Sequence, residues 1–313
     1  MISMVYFKGE LDSFSDGLVK SSAQWGTLIG QITFGILADR YGRKKMYGSE
    51  LMLIIFATVC CATSSNFAAG SGLIGLLTFW RFVLGFGIGG DYPLSAVITS
   101  EFSSANNRGR MIACVFAMQG IGILLAALVT VTMLAIFRSL ILVDVMAVDY
   151  VWRCCLAFGA VPAVATLYFR LTMTESPRFT ADVTGDAEKA AKDVETFLGS
   201  KESSQPSMKN PYSESNISHI QHQSNYHIDD RDDVPKKPAT FADFRAHFSQ
   251  WNQLKILLGT SISWFCLDVA FYGLALNQSA VLNAVGYGHG EGFEMLWSLG
   301  LGNLVIACLG TGK

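Results

Sequence analysis

An all-α integral membrane protein is the fold class this sequence predicts, and three observations carry that expectation. Hydrophobic residues fill 51% of the 313 positions and charged residues only 15%, too little polar surface to cover a soluble globule of that size. The charges are also gathered: residues 175–255 hold 13 acids and 10 Lys or Arg, and the rest of the chain is far more sparsely charged. What remains falls into seven apolar runs of roughly 20 residues, the length a helix needs to cross a hydrocarbon core of about 30 Å.

Those runs lie at about 20–38, 46–63, 73–99, 111–136, 151–173, 255–281 and 293–310. None reads as a cleavable leader, because MISMVYFKGELDSFSDGL (1–18) lacks a basic start and a continuous apolar centre. Orientation follows from the short loops. DRYGRKK (39–45) carries Arg40, Arg43, Lys44 and Lys45, SSNFAAGSG (64–72) carries no base, and the next loop carries Arg108 and Arg110. Basic loops stay in the cytoplasm, so residues 1–18 are expected outside and the long polar segment inside. The expected organisation is an N-terminal transmembrane bundle over 1–174, a cytoplasmic connection over 175–254, and the start of a second bundle over 255–313.

Within the connection, AEKAAKDVETFL (187–198) places Ala187, Ala190, Ala191, Val194, Phe197 and Leu198 on one helical face, as a surface helix would. Residues 203–238 are polar, Pro-containing and poor in aliphatics, the composition of a disordered linker. Phe241, Phe244, Phe248 and Trp251 then form a second apolar face leading into the sixth span. His219, His222 and His227 have a spacing that could hold a metal, but a solvated polar tract accounts for them more simply, so neither metal nor cofactor is expected. The sequon Asn216-Ile217-Ser218 falls on the side assigned to the cytoplasm. All seven cysteines sit in apolar spans, where a thiol packs as a small hydrophobe, and no disulfide framework emerges.

The stretch GFGIGGDYPLS (85–95) decides the function class. Gly85, Gly87 and Gly90 satisfy the spacing of a dinucleotide-binding turn, but that turn follows a short strand, and here a long apolar helical run precedes it. Asp91 stands 12 residues past Phe79, about 18 Å into a core of about 30 Å, near the midplane. A charge there costs at least about 2.5 to 3.5 kcal/mol, so it faces a cavity or a partner and marks a transport path. A second acid lies at matching depth in GTSISWFCLDVAFYGLALNQ (259–278). There Trp264, Asp268 and Tyr272 recur at i, i+4 and i+8, a spacing that gathers an indole N–H, a carboxyl and a phenol on one helical face. Such a face suits an oxyanion once the acid is protonated. Tyr92 and Gln119 add polar groups to otherwise apolar helices, and Arg81 is the one fixed cation expected at depth. No nucleophile paired with a base, no metal-ligand cluster at membrane depth and no nucleic-acid partner is indicated, so an enzyme is the least favoured class.

Several stretches carry a family resemblance. GTLIGQITFGILADRYGRKK (26–45) resembles the loop motif of the major facilitator superfamily, and ESPRF (175–179) resembles a second superfamily motif with Thr174 in place of a leading proline. GGDYPLSAVITSE (89–101) and WFCLDVAFYGLALN (264–277) are similar to the proton-coupled inorganic phosphate transporters of fungi and plants, the fungal high-affinity members above all. The resemblance implies a plasma-membrane importer that moves phosphate with protons by alternating access. It implies that Tyr92, Gln119, Trp264, Asp268 and Tyr272 line the phosphate pocket and that Asp91, with Asp268, couples the proton. It also implies cytoplasmic ion pairs that hold one conformer, drawn from Asp39, Arg40, Arg43, Glu101, Arg108 and Arg110. The superfamily has twelve helices, and this chain aligns with the second to the eighth, so a fragment is expected that lacks the first helix and the last four. Two alternatives stay open: a carrier of organic phosphates, sugars or other organic anions, and a phosphate receptor that signals without flux.

Overall fold

Along the chain, the described elements are α1 (Ile2–Tyr6), α2 (Ser13–Tyr41), α3 (Arg43–Thr63), α4 (Gly72–Phe102), α5 (Arg108–Ile136), α6 (Arg138–Val143), a single 3-10 turn (Val145–Ala147) and α7 (Val148–Thr172); then α8 (Phe241–Phe248), α9 (Trp251–Leu276), α10 (Gln278–Val285) and α11 (Phe293–Thr311). This computed structural model describes residues 1–7, 11–65, 72–103, 106–173, 241–290 and 292–311. All of these belong to one unit, Met1–Met173 with Ala239–Lys313. The expected helix at 187–198, the linker at 203–238 with its three histidines, the sequon and ESPRF lie outside the described residues. Among the described residues every regular element is helical.

Six of these helices are long and apolar enough to cross a membrane: α3, α4, α5, α7 with the turn before it, α9 and α11. The helix expected over 20–38 is present as α2 and is longer, 29 residues, but it does not meet the same apolar criterion. Its KSSAQWGTLIGQITFG stretch carries Ser, Gln, Thr and Gly, residues that serve packing against a neighbour rather than contact with lipid. The α2–α3 corner is a single residue. Gly42, at φ 101°, turns the chain in the left-handed region and donates its N–H to the Ala38 carbonyl.

Close approach of α2 to α4 organises the first bundle. A Cβ on Gly85 would run into the Ala23 backbone, one on Gly89 into the Thr27 backbone, and one on Gly26 into the Phe82 carbonyl. At this separation the Thr27 hydroxyl lies 2.9 Å from the Ala23 carbonyl of its own helix and 3.2 Å from the Gly85 carbonyl across the interface. Small residues that bring backbones together supply van der Waals contact where lipid offers no hydrophobic drive. Pro93, inside α4, has no N–H to donate, which releases the Gly89 carbonyl one turn earlier.

α3 packs against α4 and α7, and α11 lies along α5. The end of the bundle that carries DRYGRKK is called the basic end below. At the opposite end, Val5 of α1, Leu134 of α5, Val148 and Val151 of α7 and Leu296 of α11 form a buried apolar cluster. A polar clasp closes beside it. The Tyr6 hydroxyl and the Trp152 indole N–H both donate to Asp149 Oδ1, at 2.9 and 2.8 Å. Arg153 donates through Nε to Asp149 Oδ2 at 2.8 Å and through a terminal nitrogen to the Ala62 carbonyl at 2.9 Å, tying α7 to the end of α3.

Candidate functional site

A cavity of about 150 Å3 opens between the first bundle and α9. Tyr92 of α4, Gln119 and Phe116 of α5, and Trp264, Asp268 and Tyr272 of α9 line it, with Gln31 of α2. The three α9 residues repeat every fourth position, so one face of that helix presents all three, and α4 and α5 supply the opposite wall. Phe116 and Trp264 meet across the gap with ring centroids 6.3 Å apart. The structure thus brings together all five residues expected to hold the anion. Gln31 was not singled out from sequence, because its stretch reads as the packing motif of α2.

The chemistry of the lining is that of donors. Two amides, an indole N–H, two phenols and a carboxyl that donates when protonated can surround a tetrahedral oxyanion. Among the described residues no fixed cation lines this cavity. The volume is small, since sites for drug-sized ligands run to roughly 300–1,000 Å3.

Asp91 does not line this cavity. It lines a neighbouring one of about 240 Å3, together with Ser95 and with Tyr92, Phe116 and Gln119, which belong to both. Asp91 Oδ1 accepts from the Ser95 hydroxyl at 3.1 Å and pairs with an Arg170 terminal nitrogen at 2.9 Å. The same nitrogen stands 3.1 Å from Glu50 Oε1, and the Glu50 side chain is 0% exposed. The Arg170 guanidinium also lies over the Tyr47 ring, 3.8 Å from its centroid. Gly90 makes room for this cluster, because a Cβ there would meet the Phe34 ring at 2.6 Å and Glu50 Oε2 at 2.7 Å.

These contacts correct one expectation. Arg81 is not the only fixed cation at depth: Arg170 reaches back from the end of α7 to pair with Asp91, while Arg153 pairs with Asp149 at the opposite end of the bundle. Both sit near the ends of their helix, where a long basic side chain reads from sequence as one extending toward the interface. Glu50 was missed for the same reason, being only a few residues into its span. The available signal was its place as the lone acid in YGSELMLII. Arg81 itself donates through Nε to the Val19 carbonyl at 3.0 Å.

At the basic end, Arg43 joins Asp39 at 3.3 Å and Glu101 at 3.4 Å, linking the start of α3 to the ends of α2 and α4. Of the residues expected in conformational ion pairs, these three are brought together. Arg40 and Arg110 are exposed and Arg108 is half-buried, outside that pairing.

Comparisons with known proteins bear on the family and the fold. A family profile described as "Sugar (and other) transporter" matches residues 6–231. The chain is 40% identical to the "Repressible high-affinity phosphate permease" of Neurospora crassa, over 99% of this chain and 55% of that protein. It is 38% identical to the "Inorganic phosphate transporter PHO84" of Saccharomyces cerevisiae, over 99% of this chain and 54% of that one. The chain therefore spans about half the length of the curated relatives it matches. Its fold is similar to that of the major facilitator superfamily proton:xylose symporter XylE bound to 6-bromo-6-deoxy-D-glucose. The TM-score is 0.61 at 18% identity, covering 99% of this chain and 62% of the other.

Proposed function

The chain belongs to the sugar (and other) transporter family, and on that premise we propose that it forms the phosphate- and proton-handling part of an importer of inorganic phosphate. It is an integral, multi-pass membrane protein and a transporter by family. The observation that carries the phosphate reading is the single small cavity in which Tyr92, Gln119, Trp264, Asp268 and Tyr272 converge from both sides. The names of its relatives point the same way.

Protonated Asp268 donates to one phosphate oxygen while Trp264, Tyr92, Tyr272 and Gln119 take the others. A carboxyl away from water accepts a proton readily. Loaded from an acidic outside, it binds the anion as a donor. Opened to a less acidic cytoplasm it loses the proton, and like-charge repulsion drives phosphate off. Asp91, one cavity further toward the basic end, takes part in moving that proton. Arg43 with Asp39 and Glu101 holds the basic end in one conformer and releases it during the switch. We place residues 175–254 in the cytoplasm and the protein in the plasma membrane.

The test is uptake of labelled phosphate in proteoliposomes by a chimera in which this chain replaces the aligned segment of the Neurospora permease. Uptake should rise as the outside is acidified and collapse when a protonophore dissipates the gradient. Flux indifferent to both would remove proton coupling. The second reading is a carrier of sugars or organic phosphates, and the family description covers it as well. Competition by unlabelled glycerophosphodiester or hexose in the same assay would support it.

A further inference from the structure

Two carboxyls share one guanidinium in the interior of the first bundle, and that inequality is the basis of the inference. One terminal nitrogen of Arg170 lies 2.9 Å from Asp91 Oδ1 and 3.1 Å from Glu50 Oε1. Glu50 Oε2 is buried and accepts no hydrogen bond. Asp91 Oδ1 and Glu50 Oε1 both lie about 3 Å from that one nitrogen, which sets the two acids side by side. Two ionised carboxylates repel at that separation, and one proton removes the repulsion. Two like charges held this close do not both ionise.

Among the described residues, few other polar groups face the guanidinium. Tyr47 and Glu50 face it from α3, and Asp91 and Ser95 from α4, while Tyr92 lines both the cavity beside Asp91 and the one it shares with Asp268 and Tyr272 of α9. From α2 the neighbour is the Phe34 ring, which does not titrate. Within this set the only cation is Arg170. A neutral cluster of one cation and two acids therefore holds one proton.

We propose that Arg170 is the positioning residue of the proton path: it holds Asp91 and Glu50 against each other so that the pair carries one proton at a time. The inference deepens the phosphate–proton reading above and rests on it for its role in transport. The step balances simply. The O–H bond of one carboxyl breaks as that of the other forms, the negative charge moves the opposite way, and the guanidinium stays charged and tightens on whichever acid is ionised. Tyr47 limits its swing by holding the flat face of the guanidinium, as aromatic rings do for arginine.

The test uses the whole chain in lipid nanodiscs and the infrared band of protonated carboxyl groups, read at neutral pH. The parent should show one protonated carboxyl from this cluster, identified by difference against Glu50→Gln. Arg170→Gln removes the cation that allowed one acid to ionise, so the cluster's band should about double in area. Arg170→Lys, which keeps the charge, should return the parent area. The Glu50→Gln/Arg170→Gln pair should return a single protonated carboxyl, on Asp91. A band of parent area in Arg170→Gln, or of doubled area in the paired variant, overturns the proposal. The band reports on the cluster without any flux. If the chimera then fails to move phosphate while the band changes as expected, the substrate reading fails and the shared proton stands.

Discussion

Replacing Asp268 with Asn should leave phosphate binding within about tenfold of the parent and abolish accumulation against a gradient. Asn keeps the side-chain shape and retains an N–H donor toward the cavity that Asp268 lines with Trp264 and Tyr272. Exchanging one neutral hydrogen bond for another changes binding by at most about 1.4 kcal/mol, a factor of ten. The amide cannot release a proton, so nothing repels the anion when the site opens to the less acidic side. Two assays on the chimera separate these effects. Exchange of labelled for unlabelled phosphate across equal pools needs binding and the conformational switch alone, and should survive. Net uptake driven by an acidic outside should not. If accumulation persists in the variant, the coupling proton is carried elsewhere, with Asp91 as the remaining acid beside the cavity.

The second large effect is structural. Gly85→Ala places a methyl group against the backbone of Ala23, where no side chain can rotate away. Overpacking in a close-packed interior costs typically 1–3 kcal/mol, and a backbone collision belongs at the upper end or beyond. At about 3 kcal/mol the unfolding midpoint should fall by on the order of 6–12 °C. Gly35→Ala is the control, since nothing lies within 4 Å of a Cβ there, and alanine improves helix propensity by up to about 1 kcal/mol. The two variants, purified in the same detergent and melted side by side, should diverge. Equal melting would mean that α2 and α4 sit farther apart than the Thr27–Gly85 contact implies.

Much of the architecture was legible because apolar runs of bilayer length leave little choice of structure. The expected span at 255–281 appears as α9 and that at 111–136 as α5, with ends displaced by a few residues. The pocket was legible for a related reason. On a helix, residues four apart face the same way, so Trp264, Asp268 and Tyr272 reach one cavity. Partners across helices were harder. Nothing in YFRLTM says that Arg170 meets Asp91, 79 positions earlier, and nothing in GQITFG says that Gln31 faces α9. Such meetings depend on which helix faces which, and hydropathy carries no information on that. The glycines were read as close-approach residues without their partners, and only the collisions at Ala23 and Thr27 identify α2 as the helix they admit.

The Glu50–Asp91–Arg170 cluster also constrains how the protein is made. Its three members lie on α3, α4 and α7 and leave the ribosome in that order, so both acids enter the bilayer before Arg170 can meet them. Translation proceeds at about 5–20 residues per second, which puts roughly 4–16 s between the synthesis of Asp91 and that of Arg170. Through that interval, two carboxyls buried within the bundle, each costly as an unpaired ion in the membrane, persist most cheaply in neutral form. Completion of α7 is thus the event that allows one of them to ionise. A chain stopped before residue 170 holds an N-terminal bundle whose acids have no counter-ion, a state that membrane quality control can recognise and remove.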